Sequence, residues 1–215
     1  MLIKKGAEAN LYLEEWQDHK VIMKRRLPKK YRVSKLDEEI RSYRTIHEPQ
    51  IIHRAKEAGV PTPTIFMVDI AEATVVMEFI NGKPVKQVLD DFSAEERCRL
   101  CCVIGNLIGR LHNHGIIHGD LTTSNMILTP HGKVVFVDFG LSEHSTELET
   151  RGVDLHLMKR AFQSTHYKYA KESFNMVMEG YAEATGNEAA KNVLEKIKEI
   201  EKRGRYVSER KEVAV

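Results

Sequence analysis

The residues best suited to chemistry are carboxylates and an amide in two short clusters. His118-Gly119-Asp120-Leu121-Thr122-Thr123-Ser124-Asn125 comes first, and Asp138-Phe139-Gly140 follows a short apolar stretch. Phosphoryl transfer from a nucleotide asks for these types. It needs an acceptor for the proton of an attacking hydroxyl or water, and oxygen donors for a hard divalent cation that neutralises the phosphates. Asp120 is the candidate base. Asp138 can bridge Mg2+ or Mn2+ to phosphates and Asn125 can add an amide oxygen, so these two are the candidate metal ligands. Either cluster alone would suit a turn. Together, in this order, with Asp120 and Asn125 five apart and apolar strands on both sides, they point to an ATP site.

Phosphates also need a cation. Lys24 closes the β-rich run Val21-Ile22-Met23-Lys24 and is the candidate for the α- and β-phosphates. A helical carboxylate should pair with it, and Glu48, Glu39 and Glu38 are the candidates. Glu48 is favoured because it lies mid-helix relative to the Gly59-Val60-Pro61 stop. Pro49 disfavours helical geometry at the preceding residue, so a kink at Glu48 is expected. The turn Gly6-Ala7-Glu8-Ala9-Asn10 lies 18 residues before Lys24. Despite its single glycine, it is the candidate for laying backbone N–H groups over the phosphates. Met77-Glu78-Phe79-Ile80 is the candidate adenine segment, acting through backbone groups of Glu78 and Ile80.

The elements that must hold these residues follow from periodicity. Residues 1–24 read as three short strands with a turn at Trp16-Gln17-Asp18-His19. A basic linker is expected from Lys24 to Lys35, where seven of twelve residues are Lys or Arg and none is acidic. Helical spacing runs from Leu36 to Ala58, interrupted at Pro49, and strands are expected at 65–68 and 74–80. Ser93 and Glu96 form a capping box before an apolar stripe from Ala94 to His114. Strand-like pieces at 126–128 and 134–137 flank a His131-Gly132 turn, and the chain is helical from Val153 to about Ile200. The expected class is α+β: a β-rich N-lobe over residues 1–80 and a truncated helical C-lobe over 81–215.

Composition sets outer bounds. With 215 residues, 42% of them hydrophobic and 30% charged, the chain can bury a core. The net charge of +2 selects no partner by itself. No apolar stretch follows the N-terminal lysines and no run reaches the length of a spanning helix, so a soluble, cytoplasmic protein with no membrane partner is expected. Cys98, Cys101 and Cys102 crowd one segment without zinc-like spacing and are expected to be small buried hydrophobes.

At this point the chain resembles a family: the small atypical kinase of the KEOPS complex, known as the Bud thirty-two or p53-related protein kinase family. The matching stretches are Gly6-Ala7-Glu8-Ala9, Lys29-Lys30-Tyr31-Arg32 with Leu36-Asp37, Arg44-Thr45 with Glu48, and Ala58-Gly59-Val60-Pro61-Thr62-Pro63. They continue with His118 to Asn125, Asp138-Phe139-Gly140-Leu141, Val153-Asp154-Leu155 and Arg203-Gly204-Arg205. The family pattern has Ala-Arg where Pro49-Gln50 stands here. The resemblance implies a minimal two-lobed protein-kinase-like fold and an ATP-dependent atypical Ser/Thr kinase and ATPase, from an archaeal source. It implies three partners: the ATP-binding subunit that makes threonylcarbamoyladenosine at position 37 of tRNA, a small helical subunit on the N-lobe, and tRNA within the complex. The tail at Arg203 and Arg205 is expected to reach a partner or tRNA, and the basic linker offers a further phosphate contact.

Protein kinases carry a longer segment after Asp-Phe-Gly, closing on Ala-Pro-Glu. Here only 13 residues separate Gly140 from Asp154, and no proline follows Pro130. A full activation segment, and control through its phosphorylation, are therefore not expected. Two other functions fit the motifs: a small-molecule kinase of the aminoglycoside phosphotransferase type, and a non-catalytic scaffold that binds ATP and tRNA. The 75 residues after Gly140 are few for the first, and the intact Lys24, Asp120, Asn125 and Asp138 speak against the second.

Overall fold

The computed structural model describes residues 1–6 and 8–212, with side chains described up to Arg203. Ala7 and the side chain of Arg205, both singled out in the sequence, lie outside the described residues.

The first lobe is a five-stranded antiparallel sheet with one long helix. Strands β1 (Leu2–Lys5), β2 (Ala9–Trp16) and β3 (His19–Arg26) precede α1 (Ser34–Glu57), and β4 (Ile65–Asp69) and β5 (Thr74–Glu78) complete the sheet in the order β1-β2-β3-β5-β4. The turn between β2 and β3 has Gln17 and Asp18 at φ 49° and 62°. These left-handed values match the right-handed twist of a two-residue hairpin. Lys24 lies opposite Leu11 on one side and Val75 on the other. It is therefore central in the sheet, and β3 runs on to Arg26. The expected linker beginning at Lys24 is shorter than its charge indicated, because Lys24, Arg25 and Arg26 are strand residues held by ladder bonds.

Helix α1 is continuous through Pro49 and shows no break at Glu48, contrary to the expected interruption. A proline inside a helix removes one backbone bond and crowds the carbonyl four residues earlier. Here Glu48, Ile51, Ile52 and Ala55 are all buried on one face. That packing holds the helix across the lost bond.

The second lobe begins with β6 (Lys83–Pro84) and the single turn α2 (Val85–Val88), then α3 (Ala94–Asn113). The Ser93–Glu96 capping box is present in full. Next come β7 (Ile116–Ile117), the hairpin β8 (Met126–Leu128) and β9 (Val134–Phe136), and β10 (Glu143–His144), which pairs with β7. Helices α4 (Leu148–Thr165), α5 (Ala170–Thr185) and α6 (Asn187–Glu212) finish the chain. The terminal helical region thus starts five residues earlier than its apolar periodicity indicated and extends well past Ile200. A core of Ile104, Ile108, Leu111, Leu155, Phe162, Val177 and Ile197 joins α3 to α4, α5 and α6. Only Cys101 of the three thiols is buried in it. Cys98 and Cys102 are half-buried beside Glu172 and Glu183, so the expectation of three buried cysteines fails for two. Among the described residues, no helix is long and apolar enough to cross a membrane.

Candidate active site

The loop from His118 to Asn125 is built on helix α4 from below. Asp154, fully buried, accepts the backbone N–H of His118 and of Gly119, both at 2.9 Å, and meets His112 Nε2 at 3.2 Å. One carboxylate thus fixes two consecutive amides of the loop, in the buried setting where such bonds to an ionised group are strongest. Gly119 has φ +78°, and a Cβ there would stand 2.2 Å from the Leu141 carbonyl oxygen. This is why glycine precedes Asp120: the loop passes too close to the residue after Asp138-Phe139-Gly140 for any side chain. The His118 ring is buried against Phe139, with centroids 4.6 Å apart, and its Nδ1 accepts the Asp120 N–H at 3.3 Å. Burial holds the His118 pKa below its usual value, in keeping with a neutral ring whose Nδ1 accepts.

Asp120 and Asn125 are tied together. Asn125 Nδ2 donates to the Asp120 carbonyl at 3.0 Å and to Asp120 Oδ2 at 2.8 Å. Both amide hydrogens are thereby engaged, which leaves the amide oxygen as the atom available for a cation. The turn between them is held by Thr123 Oγ1, 2.9 Å from the buried His166 Nε2, whose Nδ1 lies 2.6 Å from Asp90 Oδ1. The β8–β9 hairpin then returns the chain, and the Val137 N–H donates to the Asn125 carbonyl at 2.9 Å. Asp138 follows immediately, at φ +64°. That left-handed value is uncommon outside glycine, and Asp is among the residues that tolerate it.

From the other lobe come Lys24 and Glu48. Lys24 Nζ lies 2.7 Å from Glu48 Oε1 and 2.6 Å from Asp138 Oδ1. Glu48 is 1% exposed and Lys24 9%, whereas the Asp138 side chain is 45% exposed and opens on the cleft. Burial alone would lower the Lys24 pKa, but attraction to Glu48 and then Asp138 outweighs it and the net shift is upward. Burial likewise acts to raise Asp138, but Lys24 outweighs it and holds the carboxyl below its ordinary range. Of the three candidate carboxylates, Glu48 is the partner; Glu38 and Glu39 are exposed on α1.

These residues meet at a cavity of about 280 Å³ lined by Lys4, Gly6, Glu8, Ala9, Leu11, Lys24, Arg26, Arg44, Asp120, Asp138, Gly140 and Leu141. The turn above it is tight, with the Gly6 N–H donating to the Ala9 carbonyl at 2.9 Å. Glu8 reaches Arg32 and Arg44, both at 3.0 Å. Asn10 is buried beside Tyr12 and is not part of this lining. Met77 is buried in β5, while Glu78 and Ile80 line a separate cavity of about 560 Å³ with Lys56, Thr62 and Lys133. The candidate adenine segment is therefore not brought by its side chains to the cavity at Lys24, Asp120 and Asp138. Arg203 lies on α6, paired with Glu149 of α4 at 2.5 Å, and remains 61% exposed.

Two contributors were not singled out as site residues from the sequence. Arg26 was hidden in a basic run, although its spacing of two from Lys24 puts both on one face of a strand. Asp154 was noted only for its resemblance; the signal was an acid within the apolar stripe of a helix. The donor set suits a divalent cation shared with phosphates: one half-exposed carboxylate at Asp138 and one free amide oxygen at Asn125. Among the described residues no three His, Cys, Asp or Glu side chains cluster to hold a metal by themselves. A cation here would draw its remaining ligands from phosphate and water, as Mg2+ does.

A five-stranded lobe carrying a Lys–Glu pair, meeting through Lys24 and Asp138 a helical lobe that carries an Asp–Asn loop and an Asp-Phe-Gly turn, defines a protein-kinase-like protein. A model of the RIO domain matches residues 11–177. The KEOPS complex subunit Bud32 of Pyrococcus abyssi is 49% identical over 211 residues, covering 95% of this chain and 96% of that protein. A probable bifunctional tRNA threonylcarbamoyladenosine biosynthesis protein of Methanothermobacter thermautotrophicus is 46% identical over 205 residues; the match covers 95% of this chain and 36% of that longer one. Among solved structures, the Rio2 kinase of Chaetomium thermophilum, in its ADP/Mg2+-phosphoaspartate complex, superposes with a TM-score of 0.64 at 18% identity, over 93% of this chain and 70% of that one. The chain belongs to the RIO-domain family and, within it, to the family of the KEOPS subunit Bud32.

Proposed function

We propose that this protein binds ATP with Mg2+ or Mn2+ and hydrolyses or transfers the γ-phosphate, as the atypical Ser/Thr kinase and ATPase subunit of a KEOPS-type complex that supports threonylcarbamoyladenosine formation at position 37 of tRNA. The observation that carries this reading is the convergence of Lys24, Asp138 and Asp120 on one cavity, with Glu48 and Asn125 bonded directly behind them. Relatives named for KEOPS and for tRNA threonylcarbamoyladenosine biosynthesis supply the biological setting. In the bifunctional relative the matched part is about a third of the chain, which supports a kinase-like unit working beside a separate tRNA-modifying unit.

In this account Lys24, oriented by Glu48, holds the α- and β-phosphates. The Gly6–Asn10 turn covers them, and the backbone of Glu78 and Ile80 at the lobe junction meets adenine. A divalent cation held by Asp138 and Asn125 supplies the charge neutralisation. Asp120 orients the attacking oxygen and takes its proton as the new bond to γ-phosphorus forms and the bond to ADP breaks. The loop that would dock a peptide is short, so the acceptor is water, this chain or a partner. The partners are the ATP-binding tRNA-modifying subunit, a small helical subunit on the first lobe, and tRNA, with the tail around Arg203 and Arg205 serving the tRNA-modifying subunit and tRNA. Turnover of labelled ATP by the chain, with and without the tRNA-modifying partner and tRNA, tests this reading. Metal-dependent phosphate release or protein labelling is expected, and a chain that binds nucleotide without turnover in any of these mixtures would be a scaffold.

A further inference from the structure

Glu48 is shared by two buried cations. Its Oε1 takes Lys24 at 2.7 Å, and its Oε2 takes the Arg26 guanidinium in a close ion pair. Arg26 is 3% exposed, lines the phosphate cavity, and also reaches Thr45 Oγ1 at 3.5 Å on the same helix. Thr45 is itself anchored to the Arg41 carbonyl at 2.7 Å. The Arg26 backbone N–H bonds to the Ala73 carbonyl at 3.0 Å, so the residue is fixed from the sheet side as well.

Within the directly ion-paired cluster the charges balance only with Arg26 included: two carboxylates, Glu48 and Asp138, against Lys24 and Arg26. Without Arg26, Lys24 alone would answer Glu48, and its charge would already be spent when phosphates arrive. With Arg26 neutralising Glu48, Lys24 keeps its contact to Oε1 for orientation and its charge is left to the cleft, where Asp138 and arriving phosphates face it.

We propose that Arg26 is a positioning residue for ATP binding: it holds and neutralises Glu48 so that Lys24 can be both oriented by that carboxylate and available to the nucleotide phosphates. The inference rests on the reading of Lys24 as the phosphate-binding lysine. Its signature is coupling to Glu48, which a residue that only filled space would not show.

The test is ATP·Mg2+ affinity by calorimetry beside steady-state phosphate release, on the full chain and on Arg26→Met, Arg26→Lys, Glu48→Gln and the double variant Arg26→Met/Glu48→Gln, with circular dichroism to show folding. Arg26→Met should lose about tenfold in ATP affinity, and Arg26→Lys should recover most of it. In the Glu48→Gln background the Arg26→Met change should cost about twofold or less, because the group it neutralises is gone. Equal losses in both backgrounds, or an Arg26→Met chain that binds ATP as well as the wild type, would overturn the proposal. If Arg26→Met does not fold, Arg26→Lys decides: affinity within about threefold of wild type supports neutralisation, and a loss of about tenfold or more overturns it. Wild-type chain that binds no ATP would instead contradict the ATP reading itself.

Discussion

Lys24 Nζ stands 2.6 Å from Asp138 Oδ1, so the proposed phosphate lysine and the proposed metal-binding acid form an ion pair between the two lobes. On the proposed function, a divalent cation at Asp138 would compete with Lys24 for that carboxylate. Lys24→Ala should remove this competitor. Mn2+ binding without nucleotide is expected to be as tight as in the wild type or tighter, while ATP turnover falls about 100-fold or more. The fold should persist, because Glu48 keeps Arg26. Mn2+ titration beside phosphate release checks this; parallel loss of both would mean that Lys24 organises the metal site rather than guarding it.

The same pair sets a pH expectation. Asp138 has its pKa lowered from 3.8, so its contribution to stability is present above that value and is lost as pH falls through the lower folded value. Lys24 has its pKa raised from 10.5, so its contribution is present below that value and is lost as pH rises through the higher folded value. Between 3.8 and 10.5 both groups stay charged. The difference in melting temperature between wild type and Lys24→Met should accordingly stay level across neutral pH. A step near pH 7 would assign titration to another group.

Glu48 and Glu39 lie on one helix with opposite exposures. Glu48→Ala leaves the buried Arg26 without its carboxylate and Lys24 with Asp138 alone, and should destabilise the protein by about 3–5 kcal/mol. Glu39→Ala, at an exposed position, should stay within about 0.5 kcal/mol of wild type. Denaturant melts measure both, and equal effects would deny the buried ion cluster.

Gly119 and Gly132 share a left-handed backbone, at φ +78° and +76°, and differ in their surroundings. An added Cβ at Gly132 meets nothing within 4 Å, while at Gly119 it would strike the Leu141 carbonyl oxygen. Gly132→Ala should cost about 1–2 kcal/mol of strain and leave turnover nearly unchanged. Gly119→Ala should displace Asp120 and cut turnover about 100-fold. Similar activity in the two variants would mean that the loop can move away from Leu141 freely.

Much of this arrangement was legible in sequence because its signals are local. Alternation at residues 10–13 marked β2, the apolar run from Thr74 marked β5, the Ser93–Glu96 box marked the start of α3, and the spacing of Asp120, Asn125 and Asp138 marked the core of the site. What stayed hidden depends on contacts distant in sequence. Arg26 reads as part of a solvated basic run until α1 packs over it with Thr45 and Glu48. Asp154 reads as one more helical acid until the loop carrying His118 and Gly119 folds onto it. Pro49 argued locally for a break in α1, and burial of the neighbouring face overrode it. The half-exposed Cys98 and Cys102 show the reverse, since composition cannot say which side of α3 faces α5.

The central claim is that Asp120 acts on the attacking oxygen while Lys24, Asp138 and Asn125 hold the nucleotide. Asp120→Asn keeps the shape and the oxygen that accepts from Asn125 Nδ2 at 2.8 Å, and removes the charge. The most direct measurement is an ATP·Mg2+ binding titration beside phosphate release on one preparation of this variant, with any activating partner present. The account expects turnover to fall about 10²–10⁴-fold while affinity changes only a few-fold. Loss of affinity as large as the loss of turnover, or turnover that barely moves, would contradict it.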